Sequence, residues 1–202
     1  MKDRKVGKQS YVKSTHYGFS ELTQCAHALE SQLEVDYFNL LNFERSAIGF
    51  NAQPFSIYYT INGKERRYTP DFEVEMVEAV YVDEIKYVED TLEPAFIDKV
   101  YVLTEYFKKK NKTFRVITET DIRLGERAEN LRYLQRAVQQ VPPTQEILGF
   151  LDSLSYQECT VSEFQQALQQ AGQDPNLCGR AVAHKLINAD LTQKWTDIVL
   201  SW

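Results

Sequence analysis

RRYTPDFEVEMVEAVYVDEIK, residues 66–86, holds the pattern on which the reading of the fold turns. Pro70-Asp71 is followed by twelve residues and then by Glu84-Ile85-Lys86. Both halves are rich in Val, Tyr and Phe, which suit a pleated, half-buried surface. Strand side chains alternate faces, so Glu84 and Lys86 project together while Ile85 turns away. With the two strands paired as neighbours in a meander, Asp71 reaches the same edge.

Working outward, FSIYYTI (55–61) and ERRYTPDFEVE (65–75) flank Asn62-Gly63. Asn-Gly between two β-favouring runs predicts a hairpin, because both residues tolerate positive φ. AVYVDEIKYV (79–88) is the third strand. Upstream, Leu29, Leu33, Tyr37, Leu40 and Leu41 recur at helical spacing and predict a helix over Ala28 to Phe43. Downstream, Phe96, Val100, Leu103 and Phe107 predict a second helix over about Ala95 to Lys110, followed by a short strand, FRVIT (114–118). The order helix, three strands, helix, strand gives an α/β (α+β) fold, a mixed sheet flanked by helices, closing near Arg127.

Beyond this the composition changes. Residues 128–202 are rich in Gln and Leu, with a break at Pro142-Pro143. Helices are expected at Ala128 to Gln140, at Thr144 to Leu154, after the capping-box pattern Thr160-Val-Ser-Glu163, and over about Asn176 to Leu186. Leu186 to Leu191 reads as a small hairpin. Short helices with a hairpin predict a winged-helix-like domain. The chain thus divides into a basic arm (1–20), an α/β domain (21–127) and a helical domain (128–202).

Asp71 and Glu84 on one face suit a hard cation such as Mg²⁺, which takes oxygen ligands and keeps several waters. Such an ion polarises a phosphoryl oxygen and lowers the pKa of an attacking water. Lys86 beside them can hold the phosphate or orient the water. A third carboxylate is available from the first helix, where Glu30 and Glu34 lie one turn apart. Lys99 on the second helix, the run KKKNK (108–112) and Arg66-Arg67 are candidates for DNA contact. A solvated helix end and a soluble edge strand are the plain alternatives for the last two.

Composition narrows the class. The net charge of −6 is unlike a stand-alone nucleic-acid-binding domain, although Lys2, Arg4, Lys5, Lys8 and Lys13 form a basic arm. A nucleic-acid-acting protein this acidic is expected to receive its substrate from a partner. Cys25, Cys159 and Cys178 are odd in number and scattered, as are His16, His27 and His184, which argues against a disulfide framework and against zinc. No apolar run approaches a membrane span, and MKDRKVGKQSYVK carries no signal-peptide core, so a cytoplasmic protein is expected.

Pro70-Asp71…Glu84-x-Lys86 with an upstream helical Glu and the αβββαβ order resembles the PD-(D/E)xK restriction-endonuclease-like superfamily. More narrowly, ESQLEVDYFNLL (30–41), Gln53-Pro54, RRYTPDF (66–72) and DEIK (83–86) resemble the TnsA endonucleases, over about residues 21 to 127. The resemblance implies that Glu34, Asp71 and Lys86 are the catalytic glutamate, aspartate and lysine. Glu84 stands where some members have Gln. It further implies Mg²⁺ (or Mn²⁺) dependence, cutting of donor DNA at the 5′ ends of a transposon, and partnership with a TnsB-type recombinase and a TnsC-type ATPase. A restriction- or repair-type nuclease and a catalytically silent scaffold of the same fold are the rival expectations.

Overall fold

The computed structural model describes residues 15–202. The basic arm residues Lys2 to Lys13 lie outside the described residues. Expected to reach residue 20, the arm is shortened by a strand, β1 (His16–Ser20), which pairs antiparallel with β2 (Cys25–Leu29). Ala28 and Leu29, expected in a helix, therefore close a hairpin. The helix α1 spans Gln32–Phe43 and starts where Ser31 accepts a hydrogen bond from the Glu34 N–H. A serine at that position satisfies a backbone donor that the helix itself cannot.

Next come β3 (Ala47–Ala52), β4 (Ile57–Ile61), β5 (Lys64–Tyr68), β6 (Phe72–Met76) and β7 (Val80–Lys86). After a turn of helix, α2 (Val88–Thr91), the chain enters α3 (Pro94–Lys108), β8 (Thr113–Thr118) and α4 (Glu119–Ile122). The central sheet has the order β3-β6-β7-β8. Its first three strands are antiparallel, and α3 carries the chain over to β8, which runs parallel to β7. The result is the mixed α/β architecture of a restriction-endonuclease-like fold.

The expected meander differs from this sheet in one respect. FSIYYTI and ERRY do form a hairpin, with Asn62 (φ 51) and Gly63 (φ 69) supplying the two positive φ values of its turn. That hairpin stands outside the central sheet as its own two-stranded unit. ERRYTPDFEVE is not one strand: Pro70 has no N–H to give a ladder, so β5 ends at Tyr68 and β6 begins at Phe72. The place of the first core strand belongs to AIGFNA, β3, whose Gly49 and Asn51 weaken its β signal and whose register shifts between Ala47 and Gly49.

Each face of the sheet is covered differently. On one, Leu33, Tyr37, Phe38 and Leu41 of α1 pack against Phe50, Phe72, Val74 and Ile85. On the other, Leu103 and Phe107 of α3 pack with Val82, Phe114 and Tyr68. Within the first face lies a charged group with no exposed surface, Asp83. The Tyr37 hydroxyl donates to its Oδ2 at 2.6 Å, and Arg115 donates Nε to Oδ1 and Nη2 to Oδ2, both at 2.8 Å. Such a bidentate pair, fully hydrogen-bonded, is the form in which a buried carboxylate is tolerated.

The remaining chain builds a second core from α5 (Arg127–Val138), α6 (Thr144–Ser153), β9 (Glu158–Thr160), α7 (Val161–Gln170), α8 (Leu177–Ala183), β10 (Asn188–Ala189) and β11 (Val199–Ser201). The capping box at Thr160 and Glu163 opens α7 as its sequence predicts. Leu186 to Leu191 is not a hairpin: only Asn188–Ala189 is a strand, paired with β11 in a sheet of order β10-β11-β9. Helix α8 also stops short of Leu186, because Lys185 turns into the left-handed region at φ 59. The two cores touch through hydrogen bonds from Arg45 to the Lys185 carbonyl (3.0 Å) and from Asn130 to the carbonyls of Leu191 (2.8 Å) and Gln193 (2.7 Å). No helix among the described residues is long and apolar enough to cross a membrane.

Removing Asp83 strands Arg115, a side chain 28% exposed, and leaves the Tyr37 hydroxyl without its acceptor. Asp83→Ala is expected to lower unfolding stability by about 2–4 kcal/mol. Urea titration followed by circular dichroism measures this; a midpoint unchanged from wild type contradicts it.

Candidate active site

The β6–β7 ladder fixes the site. Phe72 pairs with Asp83, so Asp71, one residue before the strand, faces Glu84, one residue further along β7. Residues opposite one another on antiparallel strands point to the same side. Asp71, Glu84 and Lys86 therefore share the face covered by α3, while Asp83 and Ile85 face α1. This is the alternation expected from sequence, with β3–β6–β7 in place of the expected meander.

Asp71 is held twice. Its carboxylate accepts the Ile85 N–H at 2.7 Å, and its carbonyl accepts the Gln53 N–H at 2.9 Å. Gln53 is itself in the left-handed region, φ 47, a conformation that costs free energy in a non-glycine residue and that the surrounding structure must hold. Asp71 opens onto a cleft of about 620 Å³ lined also by Glu30, Gln53, Phe55, Ser56, Arg67 and Thr69. Burial, and next the charge of Glu84, push its carboxyl up to about 7.

Glu84 is buried and carries two cations on one oxygen. Lys86 Nζ lies 3.2 Å from Oε1, and Lys99 Nζ lies 2.8 Å from the same atom. Burial pulls the Lys86 ammonium down, but Glu84 and Asp71 outweigh it and hold its pKa above the ordinary value. The Tyr68 hydroxyl is buried on this face without a hydrogen-bond partner. Burial first, and then the Glu84 charge, raise its pKa.

Glu34 approaches from the opposite side of the sheet, in the first turn of α1. Its Oε2 accepts the Glu30 N–H and its Oε1 accepts the Ser31 hydroxyl, each at 2.9 Å. Its charge adds to the field that raises Asp71. Glu34 is thus near the pair but spends its oxygens on the N-terminus of its own helix. The arginines separate: neighbours on β5 point to opposite sides, and it is Arg67, donating to Ser56 Oγ at 2.9 Å, that lines the cleft.

Among the described residues no three His, Cys, Asp or Glu side chains cluster as a metal cage. The donor set does fit a divalent ion of the Mg²⁺ kind, which is bound through one or two carboxylates and otherwise keeps water or substrate oxygen. Both ammonium groups lie against Glu84, and Asp71, pushed up to about 7 by burial and then by the Glu84 charge, is the carboxylate that an added cation would relieve. Asp71 and Glu84 would hold the ion.

Residues 44–119 match the family model described as TnsA-like endonuclease N terminal. This segment is similar to the N-terminal domain of TnsA-like endonucleases. The match supports a nuclease of the transposase family, and it encloses Asp71, Glu84, Lys86, Lys99, Arg66 and Arg67, whereas Glu34 precedes it. No curated protein matches the chain.

Sequence reading takes Lys99 only as a candidate for DNA contact and does not single out Tyr68. Lys99 sits within the apolar stripe of α3, three residues after Phe96 and four before Leu103, so it faces the sheet. A lysine in such a stripe is the signal that it has a buried partner. Tyr68 gives no comparable signal, because its position depends on the break at Pro70.

Asp71 gives a pH test. In the unfolded chain its carboxyl has the ordinary value of 3.8, and in the folded, metal-free protein it is raised to about 7. Between those values the folded state keeps a proton that the unfolded state has lost. Its contribution to stability is therefore complete in acid and is lost as pH rises through about 7. In EDTA, Asp71→Asn should gain thermal stability over wild type progressively across that window; a pH-independent difference in melting temperature contradicts the assignment.

Proposed function

We propose that this chain is the DNA-cutting subunit of a heteromeric transposase, hydrolysing one phosphodiester at each 5′ end of the element with Mg²⁺, or Mn²⁺ in its place. The observation that carries the reading is the alignment of Asp71 with Glu84 at the ends of β6 and β7, with Lys86 on the same face. The TnsA-like match supports it.

In this reading Asp71 and Glu84 are the ligands, each presented by a rigid strand end. An ion held by Asp71 and Glu84 would supply polarisation of the phosphoryl oxygen and a lowered pKa for the attacking water. Lys86 leaves Glu84 far enough to hold a phosphate oxygen or to orient the water. Glu34 keeps the α1 terminus in register and adds negative charge on the far side of Asp71, where it can position water. Arg67 on the cleft wall and Arg66 beside it are proposed to meet the DNA backbone, where cations contribute affinity without reading sequence.

The net charge of −6 supports dependence on partners, here a TnsB-type recombinase that recognises the element ends and a TnsC-type ATPase that joins the assembly to its target. Residues 128–202 are proposed as a winged-helix-like domain, on the order α6-β9-α7-α8-β10-β11 and the β10-β11-β9 sheet. Its α8 is buried on most sides, and at Gly179 an added Cβ would lie 3.2 Å from the Tyr133 hydroxyl of α5. That burial favours protein contact over insertion of α8 into a DNA groove.

A strand-specific cleavage assay on element-end DNA, with and without the neighbouring recombinase, tests the proposal. Nicking at the 5′ ends is expected only with Mg²⁺ or Mn²⁺, and Asp71→Ala should slow it by roughly 10²–10³-fold or more without loss of fold. Undiminished nicking by Asp71→Ala sinks the reading. Efficient cutting of naked DNA lacking the element ends, with no partner present, points instead to a restriction- or repair-type nuclease.

A further inference from the structure

Lys99 is an expensive residue to place where it is. Its ammonium comes from the buried stripe of α3, lies 4.6 Å from the centre of the Tyr68 ring and 5.6 Å from that of Phe96, and meets Glu84 Oε1 at 2.8 Å. Its side chain is 22% exposed, and that of Glu84 4%. The rings attract a cation through their negative faces, so the ammonium is held at this depth by two aromatic surfaces as well as by the carboxylate. Lys86, by contrast, sits on the strand of Glu84, and among the described residues it is Lys99, not Lys86, whose ammonium lies over the Tyr68 and Phe96 rings.

The charges of the site then sum in an informative way. Asp71 and Glu84 when ionised are balanced by Lys86 and Lys99. A divalent ion added to these four groups leaves an excess of two positive charges, which the charge of Glu34 offsets only in part, and must also displace an ammonium from Glu84 Oε1. A phosphodiester and a hydroxide seated in the cleft bring two negative charges.

We infer that Lys99 is a built-in counter-cation that makes metal uptake weak until DNA occupies the cleft. This rests on the metal-dependent reading above. Without DNA, Lys99 occupies the position on Glu84 that the ion needs. With DNA, the ion takes Glu84 and the ammonium, retained by Tyr68 and Phe96, turns to the phosphate. Lys99 is in this sense a positioning residue that couples one ligand to the other, and such coupling is reciprocal. The device keeps a nuclease metal-poor away from its substrate.

Titration of the full-length, DNA-free chain with Mn²⁺, followed by the electron paramagnetic resonance of free ion, tests it. Lys99→Met is expected to bind Mn²⁺ about tenfold more tightly than wild type, and Lys99→Arg, which restores the charge, to bind as weakly as wild type. Addition of a short duplex should tighten Mn²⁺ binding in wild type and much less in Lys99→Met. A residue that merely braces Glu84 would move the affinity of Lys99→Met the other way. Equal or weaker binding by Lys99→Met overturns the proposal, while loss of binding in Glu84→Gln shows that the metal reading itself stands. If neither wild type nor Lys99→Met binds Mn²⁺, with or without duplex, both readings fall together. Should Lys99→Met fail to fold by circular dichroism, Lys99→Gln carries the same expectations.

Discussion

A carboxylate with no exposed surface, gripped by a guanidinium and a phenol, sets the geometry of the whole sheet. Asp83 joins three elements at once: β7 carries it, β8 supplies Arg115, and α1 supplies Tyr37. A misregister of β7 by one residue would turn Asp83 towards α3 and leave Arg115 without a partner on the face of α1. The penalty for an unpaired buried charge is far greater than the gain from any single apolar contact, so one register wins. Because strand side chains alternate, fixing Asp83 on the α1 face also fixes Glu84 and Lys86 on the α3 face. The structural ion pair and the proposed catalytic pair are adjacent in sequence and back to back in space.

On the other face the cations are unevenly shared, both lying on Glu84. Asp71 and Glu84 stand opposite one another as like charges, and Asp71 accepts one backbone N–H where a stable buried carboxylate would accept more. Perturbed carboxyls of this kind mark sites prepared for a ligand. The strained backbone of Gln53, tied to the Asp71 carbonyl, belongs to the same preparation: it bends the chain between β3 and the hairpin so that Asp71 opens onto a cleft.

Much of this was legible in the chain. Period-two alternation over 80–86 placed Glu84 with Lys86, and the Asn62-Gly63 turn named its hairpin, because both rest on local rules that tertiary context seldom overrides. The stripe of α3 was equally plain. What escaped depended on long-range pairing. AIGFNA carries too much Gly and Asn to announce itself as a core strand, and it exists as β3 because β6 offers a free edge. The hairpin was assigned to the central sheet because nothing local distinguishes a strand that joins the core from one that stands beside it. Asp83 was passed over since its partner Arg115 lies 32 residues away, beyond a helix. The set Asp71, Glu84, Lys86 was readable as a pattern, but the engagement of Glu34 with its own helix terminus was not, although Ser31-x-x-Glu34 is itself a capping signature.

The β4–β5 hairpin shares no ladder with the central sheet. Lengthening or shortening it by whole residues would change the height of the cleft wall, and the reach of Arg67, without sliding β6 along β7. The tip of the hairpin is therefore free to vary apart from the sheet, whereas its Tyr68 end is packed with Val82, Leu103 and Phe107 and has to stay where it is.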